Sequence, residues 1–176
     1  MSTLHIALST TVFGIYCALL AAAAVYDAWK FIIPNQVSLG VAGLFLVSAP
    51  FWSAPVPWLS HIGAGTAVLA VGMVLFSLGR MGGGDVKLIS AVSLWTGFEY
   101  LLEFLILVSL AGGVLALSLL LVRRTLKWRR SGRDAADQPA LPRVWSMGAS
   151  IPYAVAIAPA GIFVGSRLPA AGWLWL

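Results

Sequence analysis

Apolar side chains run along this chain in six stretches, separated by short clusters of proline, glycine and charge. Reading the runs against their breakers predicts helices over 4–26, 37–51, 60–78, 86–98, 100–122 and 150–166. A helix needs roughly 20 apolar residues to cross about 30 Å of hydrocarbon. The second and fourth runs are short for that. They are expected either as tilted pieces packed inside a bundle or as helices whose ends lie a few residues beyond the pattern. The expected fold is therefore all-α: a polytopic membrane protein of about six transmembrane helices, forming one membrane-embedded domain over 1–176. A basic loop is expected at 123–149, with 131–142 reading as a polar linker. The N-terminal run lacks a basic start and a small-residue cleavage site, so it is read as an anchor rather than a removed leader.

Composition excludes a soluble globule. Of 176 residues, 60% are apolar and 10% charged, against about 25% charged in soluble domains; the mean hydropathy is +0.94. The net charge of +5 does not imply nucleic acid, because seven of the eleven Lys and Arg residues fall within 123–143. The run 123–133 is expected to contact anionic lipid, where each juxtamembrane cation contributes about 1 kcal/mol. The single cysteine, Cys17, lies inside an apolar run and reads as a small buried hydrophobe.

The cations also orient the chain, because Lys and Arg near span ends stay cytoplasmic. With the N-terminus outside, Lys30, Arg80, Lys87 and the seven loop cations lie inside, and only Arg167 lies outside. That topology puts Asp27 and Asp85 at the cytoplasmic boundary. Glu99 and Glu103 fall at the outer turn and Asp134 and Asp137 in the linker, all four as solvated charges. His5 and His61 are read as interfacial residues of the outer face.

Acids at the edge of hydrocarbon are costly and usually serve function. Asp85 follows three glycines in "SLGRMGGGDVKLIS", 77–90. Gly82, Gly83 and Gly84 are free to take positive φ and to admit another backbone. At the start of a helix Asp85 also feels the positive end of the dipole, worth about 0.3 to 1 kcal/mol when exposed. Asp27, in "YDAWKFIIPN", stands at the opposite kind of terminus. Two acids in contrasting surroundings are what aspartyl hydrolysis needs, one ionised to activate water and one protonated to polarise the scissile carbonyl. On this reading Asp85 is the ionised member and Asp27 the protonated one, and the pair titrates as a unit. Simple pairing of Asp27 with Lys30 and of Asp85 with Lys87 is the alternative at this point. Lys87 is further read as steadying a carboxylate or carbonyl, and Pro34 and Asn35 as ending one span and starting the next.

These residues resemble the type IV prepilin peptidases, in particular the small single-function members that serve Tad/Flp pili, within the wider G-x-G-D group of membrane aspartyl proteases. The resemblance is carried by Gly82-Gly83-Gly84-Asp85-Val86-Lys87, by Asp27 followed by Ile33-Pro34-Asn35, and by Pro152-Tyr153 in "SIPYAVAIAPAG". Relatives commonly have an aliphatic and then a basic residue directly after the first aspartate; here Ala28 and Trp29 stand there, with Lys30 one place later. The resemblance implies a catalytic pair of Asp27 and Asp85, with Gly82, Gly83, Gly84, Lys87, Pro34 and Asn35 toward the substrate. It implies cleavage of a short basic leader from a prepilin or pseudopilin precursor, at the cytoplasmic face of a bacterial inner membrane. No cofactor or metal is expected. Bifunctional relatives also methylate the new N-terminus and carry paired cysteines, so with one cysteine this chain is expected to lack methyl transfer. Membrane lipids are the other expected partners, no nucleic acid is expected, and a homo-oligomer is left open. The competing class is a small transporter or pilus-assembly subunit using its inner aspartates for proton relay or ion pairing.

Overall fold

A computed structural model describes residues 3–52, 55–130 and 151–167. The described chain is helical throughout: α1 (Thr3–Lys30), α2 (Asn35–Ser48) with a 3₁₀ turn at Ala49–Phe51, α3 (Trp58–Ser77), α4 (Gly83–Arg130) and α5 (Ala154–Arg167). Three helices are long and apolar enough to cross a membrane, within Ala7–Lys30, Trp58–Ser77 and Gly83–Trp128. Asn35–Ser48 and Ala154–Arg167 are shorter apolar helices.

The boundaries depart from the sequence pattern for local reasons. Helix α1 runs one turn beyond the predicted end, to Lys30, so Asp27 lies inside its last turn. It stops at Phe31, a non-glycine residue held left-handed at φ 55°, whose N–H still donates to the Asp27 carbonyl at 2.9 Å. Pro34, extended at φ −62° and ψ 135°, caps α2 and prevents continuation. The left-handed glycine between α3 and α4 is Gly79, at φ 68°, and not one of Gly82, Gly83 or Gly84. Gly79 N–H donates to Phe76 O and Arg80 N–H to Leu75 O, both at 2.9 Å, closing α3 with a Schellman cap. This corrects the expectation that the triple glycine forms the turn, since Gly83 and Gly84 already belong to α4.

The runs predicted at 86–98 and 100–122 form one element with a break at Gly97, whose φ of 57° and ψ of −174° no helix contains. A regular helix would bond Phe98 N–H to Leu94 O. Instead Phe98 N–H donates to Ser60 Oγ at 2.9 Å, and Leu94 O accepts from His61 Nδ1 at 2.8 Å. Two consecutive residues of α3 thus replace both halves of the lost bond. His61 is buried, not interfacial as its position in the sequence suggested. The chain turns back here: the first limb of α4 passes Gly161 at Val92, while the second meets Arg167 at Glu103 and Tyr153 at Gly112, so it runs antiparallel to α5. Glu103 is accordingly paired, with Arg167 Nη1 donating to its Oε1 at 2.7 Å.

At its other end α4 continues as helix through 123–130, part of the segment expected as loop, and Arg123 is buried. The rest of that segment and Asp134 and Asp137 lie outside the described residues.

The core gathers around Trp95 in the first limb of α4. Tyr16 of α1 packs 4.7 Å from it and Phe45 of α2 5.7 Å, while Trp95 Nε1 donates to Val41 O at 3.0 Å. Tyr16 donates its hydroxyl to Gly161 O of α5 at 3.1 Å. Helix α3 reaches α4 through small residues: a Cβ on Gly65 or Gly72 would come 2.6 Å from Leu94 or Val86. Close backbone approach of this kind holds helices together where lipid removes the hydrophobic incentive to associate.

Candidate functional site

At one end of the bundle four helix termini converge: the last turn of α1 and the first turns of α2, α4 and α5. Asp27 projects from the first of these and is only 5% exposed. Its Oδ2 accepts the backbone N–H of Ala154 at 2.8 Å. Ala154 opens α5, where the first amides have no carbonyl within their own helix to bond. The Pro152-Tyr153 turn presents that amide: Val155 N–H donates to Pro152 O at 3.2 Å and Ile157 N–H to Tyr153 O at 3.0 Å. Asp27 therefore serves as an N-terminal partner for α5 from 127 residues away.

Asp85 lies in the first turn of α4 and is partly buried. Its carboxylate folds back to accept a backbone hydrogen bond from Gly82, the reach of an acid in the first helical turn to the capping position. The space this needs exists because position 82 has no side chain; a Cβ there would lie 2.7 Å from Asp85 Oδ2. The charge of Asp27 acts on Asp85, so the two acids stand within electrostatic reach of each other.

Among the other positions singled out in the sequence, Gly84 packs against the linker between α1 and α2. A Cβ on it would lie 3.0 Å from Ile33 Cβ and 3.5 Å from the Ile33 nitrogen. The backbone that the missing side chain admits is thus the protein's own. This contact sets the start of α4 against the end of α1, and so Asp85 against Asp27. Gly83 faces the ring of Phe76, 3.3 Å from where its Cβ would be. Lys87 Nζ donates to Asn35 Oδ1 at 2.9 Å, joining the starts of α2 and α4. Two positions after Asp85, it lies about 200° around the helix, on the opposite face. Lys30 sits over the Tyr26 ring, 5.2 Å from its centroid. The two cations offered as alternative partners of the acids are thus engaged elsewhere.

Sequence reasoning missed Ala154, because a backbone amide has no side-chain signature; the Pro-Tyr pair that exposes it is the available signal. It also missed Phe31, whose left-handed φ is visible only in coordinates.

The arrangement is a pair of carboxyl groups, one sealed and one partly open, at the polar end of an apolar bundle. Neither the curated proteins nor the solved structures contain a match to the chain. The model of the type IV leader peptidase family matches residues 14–117, which hold both acids, the glycines and the Ile-Pro-Asn segment, and the chain belongs to that family.

Proposed function

We propose that the chain is a membrane aspartyl endopeptidase that removes the leader of prepilin-like precursors, without transferring a methyl group to the new N-terminus. Membership of a leader peptidase family supports the peptidase class. The observation that carries the aspartyl reading is the convergence of Asp27 and Asp85, each held by a backbone amide and neither neutralised by the adjacent lysine.

Catalysis would share one proton between the pair. The ionised carboxyl removes a proton from water as its oxygen attacks the scissile carbonyl carbon, and the protonated carboxyl donates to the carbonyl oxygen. Collapse of the tetrahedral species breaks the C–N bond, with a proton passed to the departing amine. Asp27, sealed and fixed by Ala154, suits the orienting role, and Asp85, partly open beside an exposed Gly82, suits contact with the incoming peptide. Gly82 and Gly83 form the rim over which the substrate passes, and Pro34, Asn35 and Lys87 hold the start of α2 beneath it.

The reading includes six crossings in one domain with the N-terminus outside, in the inner membrane of a bacterium, and the acids at the cytoplasmic boundary. The reversal at Gly97 supports two crossings within α4, and the cation distribution supports the orientation. The test is cleavage of a prepilin-type precursor by the full chain in liposomes, followed by mass spectrometry, for wild type, Asp27→Asn and Asp85→Asn. Cleavage by wild type alone is expected. Activity retained by either variant removes that residue from the mechanism, and an inactive wild type returns the acids to ion pairing or proton relay.

A further inference from the structure

On the face of α4 turned away from Asp85, a cleft of about 420 Å³ opens between α2 and α3. Its floor is α4 from Lys87 to Leu94, its walls include Leu39 of α2 and Leu69 of α3, and Asn35 and Lys87 stand at one end. Most of the lining is apolar, and near that end two features remain unanswered. The ammonium of Lys87 donates to the neutral amide of Asn35. Ser38, 6% exposed, lines the cleft with a buried hydroxyl that has no hydrogen-bond partner. A buried hydroxyl without a partner costs about 1 to 3 kcal/mol, so an acceptor belongs there.

The dimensions select the occupant. From Lys87 to Leu94 the floor is about 10 Å long at 1.5 Å per residue, while a spanning peptide helix needs about 30 Å of groove. The cleft therefore stays within one leaflet, and its flanks are open to the bilayer, with Leu39 exposed. The geometry points to a binding site for one anionic phospholipid, its phosphate on Lys87 and one acyl chain laid along α4 to Leu94. Ser38 lies one turn into α2 from Asn35, about 4.5 Å deeper, where rotation of its side chain toward the cleft lets the hydroxyl donate a hydrogen bond to an ester carbonyl. The bound lipid fills the gap between α2 and α3 and fixes the Lys87–Asn35 junction, next to the linker that sets the two acids together.

Photolabelling of the full chain in phosphatidylcholine nanodiscs tests the assignment, using phosphatidylglycerol or phosphatidylcholine probes with a diazirine in the acyl chain. Labelled peptides are then mapped by mass spectrometry. The phosphatidylglycerol probe should mark the peptides of Leu39, Leu69 and Leu94 about fivefold more than the phosphatidylcholine probe, the preference one cation gives. Lys87→Gln should abolish that preference, and Ala42→Phe, which fills the cleft, should remove the label there while leaving label near Arg129 and Arg130 unchanged. Equal labelling by the two probes in wild type means ordinary boundary lipid and overturns the site. Label unchanged in both variants also overturns it, as does its displacement by an equimolar apolar helical peptide, which would make a peptide the occupant. Labelling is read without any cleavage, so the result stands apart from the peptidase assay.

Discussion

Asp27 and Asp85 reach the same end of the bundle by different routes. Asp27 is placed by tertiary structure: it lies in the last turn of α1, buried, and its partner is the first amide of a helix 127 residues away. Asp85 is placed by its own helix, which supplies the dipole, and by the capping residue just before it, Gly82, which supplies the amide. The geometry of Asp27 therefore depends on how α1 and α5 pack, whereas that of Asp85 depends on three residues of local backbone. Damage at a distance should fall mainly on Asp27, and damage at the glycines mainly on Asp85.

The largest effect tests whether the two acids are equal partners. Asp27→Asn and Asp85→Asn should each lower kcat by about 10³-fold or more, at the upper part of what acid–base groups contribute, with little change in thermal stability. A residual rate in one and not the other would break the pairing. A step smaller, Ala154→Pro deletes the amide that Asp27 accepts while suiting the first position of α5, where proline is well tolerated. Losing a hydrogen bond to a charged group should cost roughly 10- to 100-fold in kcat, and Ala154→Ser, which keeps the N–H, should behave as wild type. Equal activity of the proline variant would mean that Asp27 needs no help from α5. Gly82→Ala probes the other acid: its Cβ would crowd Asp85 Oδ2 at 2.7 Å, so about a tenfold fall in kcat is expected, of the size of one displaced hydrogen bond. The smallest effect is on stability. Phe31→Gly should raise it by about 1 kcal/mol by relieving the left-handed strain, read as a rise in melting temperature in detergent.

The same contrast governs what the sequence could disclose. Asp85 was legible because the glycines and the helix start that hold it are adjacent in the chain. Asp27 was legible as an acid at a helix end, but its partner was not, since Ala154 is an ordinary apolar residue and the bond uses its backbone. The glycines were assigned the turn that Gly79 makes, because three in a row outweigh one in any reading of flexibility; their missing side chains serve close packing against Ile33 and Phe76 instead. The pause between the apolar runs at 98–100 marked the break in α4 to within two residues of Gly97. The chemistry that sustains the break lay hidden in another helix, in Ser60, which carried no signal, and in His61, which read as interfacial. The extension of α4 past 122 was masked by charge, because cations read as loop where an amphipathic helix end suits them equally well.

The exchange of bonds at Gly97 bears on how the molecule is made. A buried N–H or carbonyl left without a partner costs about 1 to 3 kcal/mol, so the reversal within α4 is a poor structure until Ser60 and His61 are beside it. Both residues leave the ribosome before α4 does, and α3 is thus available as a template when the hairpin enters the bilayer. Moving α3 behind α4 by circular permutation would keep the contacts of Ser60 and His61 with α4 yet deprive the nascent bend of its template.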